Sequence, residues 1–259
     1  MYIICGILIG IILGLTGAGG GILSAPILHF IGIPLSQAVP IGLIAIACSS
    51  SIAAAAGIKQ KIVRYKAALL MACFALPFSF IGVNLAKKLP QPYLLILFAC
   101  IMLIVAMRLI FTINAKQNII AHINPKNGKF YWNVNTGLFV GGIGSIVGFL
   151  SGLLGVGGGF IIVPLLKKFT NLSMHSIIAT SLTVSCLISL VSVYFTVIHG
   201  IYIPLKLTVV FSIAVVIGML AGRKLSVYIS EKYIQYGFAV VIICIALSLI
   251  IRNLNFIIS

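Results

Sequence analysis

Long apolar runs alternate along the chain with short basic or polar gaps. Read as helices, the runs predict eight segments: Ile3–Ile33, Gln37–Ala56, Ala67–Leu85, Tyr93–Ile113, Val134–Leu166, Met174–Ile198, Pro204–Ala221 and Tyr233–Ile251. Crossing a bilayer core takes about 20 apolar residues as helix. Segments two, three, four, six, seven and eight meet that length. A polar linker, Asn114–Lys129, separates segments four and five.

The two halves match. A shift of 138 residues lays Gly6, Gly10, Gly14, Gly17, Gly19, Gly20 and Gly21 on Gly144, Gly148, Gly152, Gly155, Gly157, Gly158 and Gly159. Pro26 lands on Pro164. Glycine is only 26 of 259 residues, so seven coincidences in one register are not chance. Weaker matches follow, Ile81-Gly82 with Ile217-Gly218 and Lys87-Lys88-Leu89 with Arg223-Lys224-Leu225. This predicts two tandem repeats, residues 1–113 and 131–259, joined by a linker over 114–130.

Segments one and five are too long for one crossing. As a helix, the 31 residues of segment one would extend roughly 46 Å, against a hydrocarbon core of about 30 Å. The break falls at Gly17–Gly21, and at Gly155–Gly159 in segment five, because glycine is a poor helix former. Each segment is then either a re-entrant hairpin of two short helices or a full helix followed by a half-helix.

Composition places this pattern in the membrane class. The chain is 62% hydrophobic and 7% charged, with a mean hydropathy of +1.29. Its 17 Lys and Arg face one acid, Glu231. Net charge of +16 raises nucleic acid as a partner, but the basic residues sit in gaps between apolar runs and form no basic face. Nucleic acid is excluded on that ground, and the lipid bilayer is the expected surroundings. The six cysteines lie inside apolar runs without C-x-x-C spacing, so neither a disulfide framework nor a zinc site is predicted.

Charge also bears on topology. If segments one and five return to their starting side, thirteen basic residues share one side and Lys87, Lys88, Lys206 and Arg252 hold the other. If all eight segments cross, the split is ten to seven. The positive-inside rule favours the first arrangement. It gives three crossings per repeat and inverts the second repeat relative to the first. The predicted fold class is thus all-α: a polytopic helical membrane protein of two tandem, inverted repeats with glycine-broken helices.

The candidate site follows from the breaks. In lipid, non-helical backbone survives only inside protein or beside a water-filled cavity. Gly17, Gly19, Gly20, Gly21, Gly155, Gly157, Gly158 and Gly159 are the candidate substrate-binding residues. A new helix begins after each break, at Ile22 and Phe160, and helix N-termini attract anions. Gly6, Gly10, Gly14 and Gly144, Gly148, Gly152 recur every four residues and read as packing stripes. Thr180 and Ser181 are candidate hydroxyl donors, with helix-backbone bonding as the equal alternative. The absence of buried carboxylates disfavours proton or metal-cation coupling. No catalytic triad, phosphate loop, metal motif or cofactor signature is present, so no enzyme and no cofactor is predicted. Arg108 and the histidines His29, His175 and His199 lie near segment ends, as interfacial residues do. Homo-oligomerisation is left open.

The motifs Gly14-Leu-Thr-Gly-Ala-Gly-Gly-Gly-Ile-Leu-Ser-Ala-Pro26 and Gly152-Leu-Leu-Gly-Val-Gly-Gly-Gly-Phe-Ile-Ile-Val-Pro164 resemble the signature of the TauE/SafE family of sulfite-exporter-like bacterial permeases. His175-Ser-Ile-Ile-Ala-Thr-Ser-Leu182 is similar to its second signature. The first half reads Ser36-Gln-Ala-Val-Pro-Ile-Gly-Leu43 there, without the Thr-Ser pair. The resemblance implies a multi-pass protein of the bacterial inner membrane. It also implies export of a small sulfur-containing anion, such as sulfite or an organosulfonate. The readings kept beside it are a non-transporting membrane assembly factor and a passive anion channel.

Overall fold

The computed structural model describes residues 1–17, 20–112, 133–226 and 228–258. The predicted linker and Gly19 lie outside them. The described residues form helices α1 (Tyr2–Thr16), α2 (Gly20–Phe30), α3 (Leu35–Lys59), α4 (Tyr65–Lys88), α5 (Gln91–Thr112), α6 (Val134–Leu154), α7 (Gly159–Phe169), α8 (Met174–Ile198), α9 (Leu205–Leu225) and α10 (Glu231–Ile258). Seven are long and apolar enough to cross a membrane: α3, α4, α5, α6, α8, α9 and α10. The seventh, beyond the six predicted segments, is α6.

Both long segments break at the predicted glycines. Gly17 ends α1 in the left-handed conformation at φ 66°, its N–H donating to the Leu13 carbonyl at 2.8 Å. Gly155 ends α6 the same way at φ 70°, donating to Ser151 at 2.8 Å. Left-handed backbone is what glycine tolerates and other residues resist, so it stops a helix sharply. After each break the chain reverses. Phe169 at the end of α7 stacks edge-on to Phe139 in the first turns of α6, with centroids 5.2 Å apart, and Gly158 lies against Val147. The short arm α7 therefore runs back along the long arm α6. On the other side α2 runs into the turn before α3, and Gly21 meets Ile46 while Ser24 meets Gly42.

The halves interlock. Helix α1 packs along α9, and α6 along α4, the two most extensive helix contacts among the described residues. Gly10 and Gly14 lie on the backbone of Val215 and Met219, and Gly218 and Gly222 lie on that of Ile7 and Ile11. Gly144, Gly148 and Gly152 lie likewise on Met71, Ala75 and Ser79. Lipid offers no hydrophobic drive for helix association, so close backbone approach must supply it through dispersion. The predicted packing stripes serve this purpose. At the centre α3 crosses α8 antiparallel, with Ala47 beside Cys186 and Gly57 beside Ala179. Outer faces carry exposed apolar side chains, such as Leu69 and Phe80 on α4 or Ile213 and Ile217 on α9, suited to lipid rather than water.

The basic residues segregate with this topology. Lys59, Lys167, Lys168, Arg223 and Lys224 lie in the last turns of α3, α7 and α9. The Arg64 N–H donates to Thr180, in the second turn of α8, at 3.0 Å, which puts these ends together. Lys87 and Lys88 end α4, and Lys87 reaches the His199 carbonyl beyond the far end of α8.

Candidate functional site

The two glycine breaks meet inside the bundle. Gly21 lies against the carbonyl of Val156, and both Gly21 and Gly157 pack on Ile46 of α3. A Cβ on Gly157 would sit 3.0 Å from Ile46 Cγ2 and 3.0 Å from Ser189 Oγ. Residues Gly155 to Phe160 are all buried. Gly157 and Gly158 have φ of 68° and 78°, so the chain passes through consecutive left-handed positions before α7 begins. These are backbone angles and contacts that side-chain-bearing residues cannot adopt without strain.

Each glycine turn is also covered by a branched side chain of the other half. Gly17 abuts Ile178 of α8. Gly155 abuts Val39 of α3. Outside each cover lies a cavity. The first, of about 240 Å³, is lined by Thr16, Phe160, Pro164, His175, Ile178 and Gln235 among others. The second, of about 250 Å³, is lined by Ser36, Val39, Pro40, Lys87, Gly152 and Thr196 among others. His175 and Thr196 stand at opposite ends of α8, 21 residues apart, or about 32 Å along a helix at 1.5 Å each. The cavities are therefore two vestibules facing opposite ends of the bundle. The first opens at the basic end.

The predicted hydroxyls sit at the first break. The Ser181 hydroxyl donates to the Gly17 carbonyl at 3.1 Å, and Thr180 Oγ1 accepts from Arg64. Both are fully buried. They connect α8 to the first glycine turn and to the loop before α4. Gly20 opens α2, and Gly159 opens α7. Ser24 donates to the Gly21 carbonyl at 2.9 Å, and Gly42 leaves room for that hydroxyl. This is the position where the first half lacks the Thr-Ser pair.

Sequence reasoning missed four residues here: Ile46, Val39, Ile178 and Ser189. Ile46, Val39 and Ile178 are aliphatic residues within apolar helices, and nothing in their pattern sets them apart. Ser189 had a signal. Ser181, Ser185 and Ser189 recur every four residues on α8 and so share a face. That face is buried. Elsewhere, a buried trio, Ser79, Ser151 and Ser192, joins α4, α6 and α8 through Oγ···Oγ distances of 3.0 and 3.2 Å. Its members satisfy one another. Among the described residues no cluster of His, Cys, Asp or Glu has the makings of a metal site.

A multi-pass helical bundle with interlocked halves, paired breaks and opposed vestibules has the architecture of a membrane permease. The chain belongs to the sulfite exporter TauE/SafE family, whose sequence model matches residues 2–249. It is 30% identical over 252 residues to "Probable membrane transporter protein MJ0441" of Methanocaldococcus jannaschii, covering 91% of this chain and 89% of that one. It is 27% identical over 249 residues to "Probable membrane transporter protein YunE" of Bacillus subtilis, covering 90% and 88%. No solved structure matches significantly. The protein is thus a multi-pass transporter of the cell membrane, with a small-molecule substrate and lipid as its surroundings. Its family is one of transporters and not of enzymes.

Proposed function

We propose that the protein carries small oxyanions, sulfite or organosulfonates, across the membrane by alternating access between residues 1–113 and 131–259. The observation that supports this most is the pair of vestibules. Each has in its lining the side chain that abuts a glycine turn, Ile178 against Gly17 in one case and Val39 against Gly155 in the other. Covers of this kind on both sides support the reading of a carrier over that of an open pore. The substrate would lie between the seals, where Gly157 and Gly158 precede α7, Gly159 opens it, and Gly20 and Gly21 open α2. The first turn of a helix leaves N–H groups unpaired and carries the positive end of the dipole. Thr180 and Ser181 hold the first break in register beside it. The positive-inside rule turns the basic end, with the His175 vestibule, toward the cytoplasm. The anionic substrate suits a chain with a single acid, Glu231.

Uptake of labelled sulfite and simple sulfonates into proteoliposomes tests this, beside a Gly158→Leu control. Saturable flux that the control loses is expected. Conductance without saturation would replace the carrier with a channel. No flux from folded protein, together with a co-purifying partner, would favour the assembly factor.

A further inference from the structure

Ser189 is fully buried on α8, and its hydroxyl has no hydrogen-bond partner. Leaving a buried hydroxyl unpaired is costly, and native structures rarely do so without reason. Most serines inside helices escape by bonding to the carbonyl three or four residues back. Ser49, Ser50 and Thr183 in this protein do so. Ser189 does not. Its Oγ lies instead 3.0 Å from the space a Cβ would fill on Gly157. Two residues later α7 begins. Among the described residues, no backbone acceptor outside α7 takes the N–H groups of Gly157, Gly158, Gly159 or Phe160. A buried, unpaired hydroxyl therefore lies beside the glycine run that leads into the N-terminus of α7.

We infer that Ser189 and the Gly157–Gly159 backbone form the seat for one oxyanion group of the substrate. This rests on the permease reading and specifies its site. Every donor here is neutral, and the near neighbours Ile46, Val147 and Ile188 are apolar. Desolvation in such surroundings rises with the square of ionic charge, and neutral donors offset little of it. The seat therefore takes singly charged oxyanions, such as a sulfonate or hydrogensulfite, in preference to dianions such as sulfate. A hydroxyl hydrogen bond to a charged group corresponds to roughly ten- to a hundred-fold in affinity.

The test separates the seat from transport. Thermal midpoints of the full chain in detergent are measured with methanesulfonate or sulfate at equal ionic strength, for wild type and Ser189→Ala. Without ligand, Ser189→Ala is as stable as wild type or more so, because an unpaired hydroxyl is removed. Methanesulfonate raises the wild-type midpoint, and about ten-fold more of it is needed for the same rise in Ser189→Ala. Sulfate gives the smaller rise. Equal responses in the two proteins, or no response in wild type, overturn the seat. A larger response to sulfate overturns its charge preference. Flux in proteoliposomes is read separately: binding that depends on Ser189 without any flux keeps the seat and removes the permease.

Discussion

The two hairpins share a backbone and differ in chemistry. Each long arm ends on a left-handed glycine, Gly17 or Gly155, and each turn is covered by an aliphatic residue early in a central helix of the other half. The polar groups do not repeat. Helices α3 and α8 are both 25 residues long, so Ser50 occupies in one the position of Ser189 in the other. The Ser50 hydroxyl bonds to Ile46 of its own helix, whereas the Ser189 hydroxyl bonds to nothing. By the same count from the helix start, the trio residue Ser192 corresponds to Ala53, and in the 138-residue register of the matched glycines Ser151 corresponds to Leu13. Glycine shapes both breaks alike, while the unpaired buried hydroxyl of this pair lies on α8 alone. A carrier needs two matched gates, but one substrate needs only one set of donors.

The architectural side of this comparison gives the largest effect. A side chain on Gly148 would meet the backbone of Ala75, whereas Gly142 on the same helix faces open space. Gly148→Leu should lower stability by at least the roughly 1–3 kcal/mol of core over-packing, since backbone cannot rotate away. Gly142→Leu should stay within about 0.5 kcal/mol. Gly10→Leu, against the backbone of Val215 and Met219, should behave as Gly148→Leu does. Thermal midpoints in detergent decide this, and equal midpoints for Gly148→Leu and Gly142→Leu would dissolve the packing role.

Strain and function separate at the breaks. Gly158 and Gly200 both have left-handed φ, 78° and 70°. Alanine at either costs about 1–2 kcal/mol of backbone strain. Gly158→Ala also crowds Val147, whereas nothing lies within 4 Å of the added atom at Gly200. Both variants should lose stability, and only Gly158→Ala should also lose flux at a temperature where both remain folded. Flux loss in Gly200→Ala would show that strain alone stops transport.

The serine contrast is smaller. Ser50→Ala deletes a satisfied buried hydrogen bond and should cost about 0.5–1 kcal/mol. Ser189→Ala deletes an unsatisfied group and should cost nothing. Chemical denaturation of the two variants without substrate measures the difference, and a cost at Ser189 equal to that at Ser50 would show that its hydroxyl is paired.

Much of the architecture was legible because glycine is informative at the level of the backbone. Seven glycines in one register marked the breaks and the packing stripes. Counting Lys and Arg favoured the return of both long segments over their crossing. The seals were not legible. Ile178 and Val39 are ordinary residues for apolar helices, and only the crossing of α3 with α8 brings them onto the other half's glycine turns. The Thr180–Ser181 pair shows the converse. The residues were found, but spacing could not show that the Ser181 proton goes to Gly17 rather than to a ligand. Ser189 failed for a related reason, since its significance is a missing hydrogen bond, which no sequence records.

The weakest contrast is between the two mouths. The His175 vestibule lies at the end of the bundle that carries Lys167, Lys168, Arg223 and Lys224 in the last turns of α7 and α9, Lys167 donating to Gln235 of its lining, and the Ser36 vestibule has Lys87 in its lining. Clustered charge of one sign raises the local concentration of an oppositely charged solute and speeds its arrival. None of these cations covers a glycine turn, so they act on encounter and not on the seat. Lys168→Gln with Lys224→Gln should slow anion flux a few-fold when substrate is presented from that side, with the Ser189 contribution unchanged. The effect should fade near 1 M salt, where screening acts over about 3 Å. Lys87→Gln should slow flux from the opposite side instead. The check is initial rate against ionic strength for each direction of substrate gradient. A loss that persists at high salt would mean that these lysines act inside the carrier, and the chemical asymmetry of the halves would then extend to their mouths.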